Sequence, residues 1–249
     1  MIRNCLATIV YSATYFALVF GLAGTDRRVH AQTFDQIGGT FVPFTFSGDQ
    51  AAASQFDALG PGFGTRDDFA TAYDNFSFAG TLSVVEVDWV GEFFDDDYLL
   101  FDLPDFQLQF HADSPTGPNG SEPGALLKSY DFTQFQVNAT PLADNFVSYS
   151  VDLASDPFGV TGGTEYWISV VADVDVDQNE WGLAYSDSGP DGDDFSVQDF
   201  DLDLVGPRDR FYDTPDFALS ITAVPEPGSL AILLVSGSMM VLRRRKRTL

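Results

Sequence analysis

The best-spaced chemistry in this chain is an acidic run, Asp173-Val-Asp175-Val-Asp177-Gln-Asn-Glu180. Carboxylates at alternate positions of an extended strand share one face, where they repel unless a cation or solvent separates them. Aspartate is also the usual oxygen donor to calcium, so Asp173, Asp175, Asp177 and Glu180 form the metal candidate. The run is not an EF-hand: Gln178 stands where the turn glycine belongs, and Ala184 where the bidentate glutamate belongs. Its competing reading is a solvated strand end. Asp191-Gly-Asp193-Asp194 and Asp95-Asp96-Asp97 read as acidic turns. In Asp199-Phe-Asp201-Leu-Asp203-Leu the alternation predicts a half-buried strand with Phe200, Leu202 and Leu204 inward.

Nucleophilic catalysis has little to draw on. His111 is the sole histidine beyond residue 31, and its position at a strand end predicts a surface or packing role. No Gly-x-Ser-x-Gly elbow accompanies it, so a serine triad lacks its usual context. The single cysteine, Cys5, lies near the N-terminus, which leaves residues 32–249 without disulfides, thiol catalysis or cysteine-held metal. A glycosidase needs two carboxylates about 5–10 Å apart in a cleft. With so many acids some pair meets that spacing by chance, so their number is no argument for hydrolysis. Trp89, Trp167 and Trp181 lie in strand patterns and are expected in the core; on an open face they would form a sugar-stacking platform.

Charge narrows the partners. Between residues 32 and 224 only Arg66, Lys128, Arg208 and Arg210 oppose 35 acids, a net charge near −31. Such a field repels nucleic acid and anionic membrane surfaces. Aspartate makes up 31 of the 37 acids, which suits turns and calcium alike.

The elements that must position these residues are strands. Short alternating segments, broken by Gly, Pro, Asp and Asn, recur at 41–46, 75–78, 82–94, 106–110, 125–132, 146–153, 165–176, 180–185, 198–205 and 217–222. About ten strands in one domain predict an all-β fold, an antiparallel β-sandwich of jelly-roll type. The 24 phenylalanines suit a core filled from two inner faces.

Both ends read as addresses. Residues 1–31 resemble a secretory signal peptide, with Arg3 in the n-region, an apolar stretch at 6–22, and a cut between Ala31 and Gln32. An uncleaved anchor is the alternative. Residues 223–249 run from Val224-Pro225-Glu226-Pro227-Gly228 through an apolar stretch at 229–242 to the basic stop Arg243-Arg244-Arg245-Lys246-Arg247. The apolar stretch is 14 residues, short of the roughly 20 of a spanning helix. A tail anchor is one reading. The order of parts resembles the PEP-CTERM sorting signal, and segments such as 85–91 (VEVDWVG) and 106–113 (FQLQFHAD) resemble exported PEP-CTERM proteins of unassigned function.

That resemblance implies three domains: a signal peptide at 1–31, a β-sandwich at 32–222 and a sorting signal at 223–249. It implies signal peptidase and exosortase as processing partners, with transient membrane insertion through a C-terminal helix. It also implies an inner-membrane intermediate and then the outer surface or extracellular matrix of a Gram-negative bacterium. The prolines should keep the motif extended and open to a protease. The expected role is structural or adhesive within exopolysaccharide and non-catalytic, with a calcium-assisted carbohydrate-binding module as the alternative and a secreted hydrolase as the third.

Overall fold

The computed structural model describes residues 31–37, 51–56, 70–94, 103–116, 120–142, 145–175, 180–186, 191–193, 195–200, 209–213 and 215–225. The chain divides after His30, and all of these residues belong to the unit that begins at Ala31. They form sixteen strands. In chain order these are β1 (Gln32–Asp35), β2 (Ala51–Ala53), β3 (Gln55–Phe56), β4 (Ala70–Ser77), β5 (Leu82–Phe93), β6 (Asp105–Asp113), β7 (Pro123–Phe132) and β8 (Asn138–Pro141). Then come β9 (Phe146–Asp152), β10 (Phe158–Val160), β11 (Glu165–Asp173), β12 (Trp181–Ser186), β13 (Ser196–Phe200), β14 (Asp209–Asp213), β15 (Asp216–Phe217) and β16 (Leu219–Pro225).

Two sheets result. A nine-stranded sheet is built around β1-β16-β5-β12-β15, with β10, β9 and β8 joining beside β5 and β2 beside β12. A seven-stranded sheet runs β14-β13-β4-β3-β11-β6-β7. Alternation explains the pairing of faces. Leu82, Val84, Val87, Trp89 and Phe93 of the first sheet share one buried cluster with Phe106, Leu108, Phe110, Ile168 and Val170 of the second. The aromatic centre of that cluster is closely interlocked: Trp89 stacks on Tyr149 at 5.5 Å, and Phe106 sets its edge against Trp89, Tyr149 and Trp181. Such contacts between offset or perpendicular rings add to the simple burial of apolar area.

Several expectations change. Among the described residues there is no helix, and none long and apolar enough to cross a membrane. The fold class is therefore corrected to two sheets with no helix among the described residues; the expected signal helix and C-terminal membrane helix fall on residues outside them. The PEP-CTERM identification requires a membrane anchor that no described residue supplies, and it does not stand. Exosortase processing, transient membrane insertion and the inner-membrane intermediate on the route to the outer surface fall with it.

A local correction agrees. Val224 and Pro225, expected to stay free for a protease, close β16 opposite Ser83 and Leu82. Ile221 and Ala223 keep the inward alternation going, and Pro225 lies past the last β1–β16 rung at Ala223, where among the described residues β16 has an unpaired edge that tolerates proline. Gln32, the residue after the expected cut, starts β1 opposite Ala223. Glu226, Pro227, Gly228, the basic stop Arg243–Arg247 and residues 1–30 lie outside the described residues.

Two further differences concern pairing. The sheets are not wholly antiparallel, because β3 runs parallel to β11, with Gln55 and Phe56 opposite Ala172 and Asp173. Asp199, expected on the solvent side of its strand, is buried. Strand periodicity assigns neighbours to alternate faces, but it cannot say whether the polar face is then covered.

Candidate functional site

The parallel β3–β11 pair builds one end of the second sheet. There Asp173 lies opposite both Phe56 and Asp105, while Gln107 lies opposite Val171 on β11 and Asp131 on β7. Alternation puts Asp105, Gln107, Asp131 and Asp173 on one face, and Phe106 and Phe132 on the other. The strand ends frame a cavity of about 300 Å³, whose lining also includes Phe56, opposite Asp173 in register, and Thr133. That volume is at the lower end for small-molecule sites.

The polar groups are held before any ligand arrives. Gln107 donates Nε2–H to Asp131 at 2.9 Å, and its amide oxygen accepts from Gln109. Asp105 accepts from the Gln134 N–H at 2.7 Å, which ties the following turn to the rim. That turn is closed by Gln136 N–H to Thr133 O at 2.8 Å and by Thr133 N–H to the Gln136 amide oxygen at 2.9 Å. Its apex carries Phe135, 89 % exposed. A phenyl ring on a pinned turn, two residues from the rim, offers an apolar surface at little ordering cost.

The acidic run is only partly gathered here. Asp173 ends β11 and lines the cavity. Asp175 is exposed beyond the strand, Glu180 is exposed ahead of β12, and Asp177 lies outside the described residues. β11 ends at Asp173, and the alternation that would align three carboxylates ends with it. Among the described residues no group of three or more His, Asp or Glu is arranged to hold a metal ion. Asp191 and Asp193 are used locally: Asp191 accepts from Asp35 N–H at 2.8 Å, and Asp193 from the Asn75 amide at 3.0 Å.

His111 sits apart from the cavity. Its ring nitrogens lie 3.3 Å from Gly124 O and 3.2 Å from the Gln109 amide oxygen, and its ring meets Tyr73 edge-on at 5.3 Å. That is a packing role. Trp89, Trp167 and Trp181 are fully buried, so these three form no open sugar platform.

Two carboxyls are pushed upward, and neither lines the cavity. Asp74 is fully buried between the sheets; burial raises its pKa well above the ordinary value, and Asp216 adds to the shift. Asp88, on the outer face of the first sheet, is raised to about 6 by burial and by the like charges of Glu86 and Asp35. For Asp88 the folded value exceeds the unfolded one. Its contribution to stability is full below about pH 4 and is lost as the pH rises through about 6. Asp88→Asn should therefore flatten the fall in melting temperature between pH 4 and 7; thermal scans that keep the wild-type slope would contradict this.

Sequence reading found Asp173 and missed the rest of the rim. Gln107 sits in the 106–113 alternation, but Asp131 and Thr133 carried no signal, since only the β6–β7 register brings them to Asp105. A protein-family model described as a domain of unknown function, DUF7901, matches residues 57–205, more than half of the chain. The match begins one residue after Phe56 and takes in every other residue of the cavity. No curated protein matches the chain.

Proposed function

This chain belongs to the family described as a domain of unknown function (DUF7901), and from that premise we propose a non-catalytic, adhesive β-sandwich that grips a carbohydrate. The observation that carries the reading is the preset polar ladder of Asp105, Gln107, Asp131 and Asp173, with Phe56 opposite Asp173 in the same cavity lining. Sugar hydroxyls donate to carboxylates and amide oxygens, while the apolar face of a pyranose lies against a ring. Three carboxylates favour a neutral polymer over an acidic one.

Affinity electrophoresis of the full chain through gels containing neutral polysaccharides, with calcium or with chelator, tests this. At least one neutral polymer should retard the protein, and Gln107→Ala combined with Asp131→Ala should weaken retention by about tenfold or more, roughly 1.4 kcal/mol. Loss of retention in chelator would add calcium to the site through Asp173. Unretarded migration in every gel would remove carbohydrate and leave a structural role with protein partners.

A further inference from the structure

One stretch of chain forms an open edge of each sheet. Among the described residues β7 borders the second sheet with β6 as its only neighbour, and β8 borders the first with β9 as its only neighbour. Half of the backbone N–H and C=O groups of an edge strand point away from its sheet and can pair with another strand. Lysines, prolines and bulges are the usual deterrents. In β7, Pro123 and the bulges around His111 confine them to the first half; from Lys128 to Phe132 the rungs with Phe110 to Phe106 are regular. Lys128 does not guard that half, because its ammonium is engaged by Asp156 Oδ1 at 2.7 Å, beside the Tyr130 hydroxyl that donates to Asp156 O at 2.7 Å. The surface chemistry of the stretch also departs from the rest. Residues 123–142 hold one acid, Asp131, and one base, Lys128, whereas residues 32–224 hold 35 acids at a net charge near −31. Among the described residues five large apolar side chains are exposed, and four of them, Leu126, Leu127, Phe135 and Leu142, lie here. Apolar side chains with few charges mark the core of an interface.

We propose that β7 pairs antiparallel with β7 of a second copy of this chain, so that two sandwiches share one continuous sheet across a two-fold axis. Charge selects that occupant. A basic partner is drawn to acid-rich surfaces, which this strip is not, and a second copy is itself strongly acidic. Two copies that meet along 123–142 set few acids against each other. The register follows from the same argument. A two-fold axis perpendicular to the sheet puts each residue opposite one of its own face, and like charges oppose an axis at Lys128 or at Asp131. An axis at the exposed Ser129 sets each Lys128 opposite Tyr130 of the other copy, the ring type its ammonium already meets at 4.8 Å within its own strand. It also brings the bulged Leu126 and Leu127 alongside the far end of the other copy's strand.

Sedimentation equilibrium of the full chain at about 0.01 M and about 1 M salt, between which the Debye length falls from about 30 Å to about 3 Å, reads the association. Screening relieves the mutual repulsion of two acidic bodies, so the dimer should form at high salt and weaken at low salt. Ser129→Glu sets like charges across the axis and should weaken the dimer by about tenfold or more, with the far-ultraviolet circular dichroism unchanged. Position is tested by cross-linking in a Cys5→Ser background, which removes the native thiol. A short bismaleimide should join two Ser129→Cys chains and leave Thr164→Cys chains single, position 164 being exposed in the turn ahead of β11. A monomer at both salts, a dimer indifferent to Ser129→Glu, or equal cross-linking of the two cysteine variants overturns the proposal. None of these readouts uses carbohydrate, so this proposal and the binding reading fail separately.

Discussion

Truncation of Trp181 to Ala is expected to cost about 3–5 kcal/mol, the usual range for a fully buried large aromatic. Trp181 touches Phe106 and Tyr149, with ring centroids at 5.4 and 6.2 Å, so its loss empties the middle of the aromatic cluster. Its indole also lies against the bare Cα of Gly91, where a Cβ would sit 2.2 Å from Cζ2. Gly91→Ala alone should therefore cost about 1–3 kcal/mol or more through overpacking. Together the two changes should not add, because the new methyl enters the space that the indole leaves. Urea denaturation of the two single variants and the double variant measures the coupling, expected at about 1–3 kcal/mol in the favourable direction. Costs that sum to within about 0.5 kcal/mol would show that Gly91 is not there for Trp181.

Removal of the Asp74 side chain should be the second large loss. Asp74→Ala leaves the buried N–H groups of Phe217 and Asn75 without their acceptor, at about 1–3 kcal/mol each. Asn at the same place keeps one carbonyl oxygen and forfeits about one bond. At pH 5 the expected order of stability is wild type, Asp74→Asn, then Asp74→Ala, read from denaturant midpoints at constant m. Equal midpoints for the Ala and Asn variants would mean that the carboxyl carries no share of the contact with β15.

Strands were the most legible feature of the chain. The segments expected at 82–94, 125–132 and 146–153 correspond to β5, β7 and β9 within a few residues, because period-two alternation is a local property. Short strands such as β2, β3 and β10 were not legible, since two or three residues carry no period. At the C-terminal end the motif was read as a segment in its own right, yet Val224 and Pro225 are the last rungs of a ladder begun at Leu219. Local chemistry gave no hint of that, because the rung partners Ser83 and Leu82 lie far upstream.

The candidate site divides in the same way. Asp173 drew attention through its acidic neighbours, but its working companions are Asp105 and Asp131, on β6 and β7. Asp74 stood one residue ahead of the segment expected at 75–78, and nothing nearby marked it as a buried member of β4. By itself the sequence determined the β class of the folded part, its strong acidity, and the absence of cysteine after residue 31. These follow from composition and from neighbours along the chain. Only the tertiary structure decided which carboxylates meet, which are buried and where β16 runs, because strand partners and layer contacts are non-local and are set by packing the two sheets around one core.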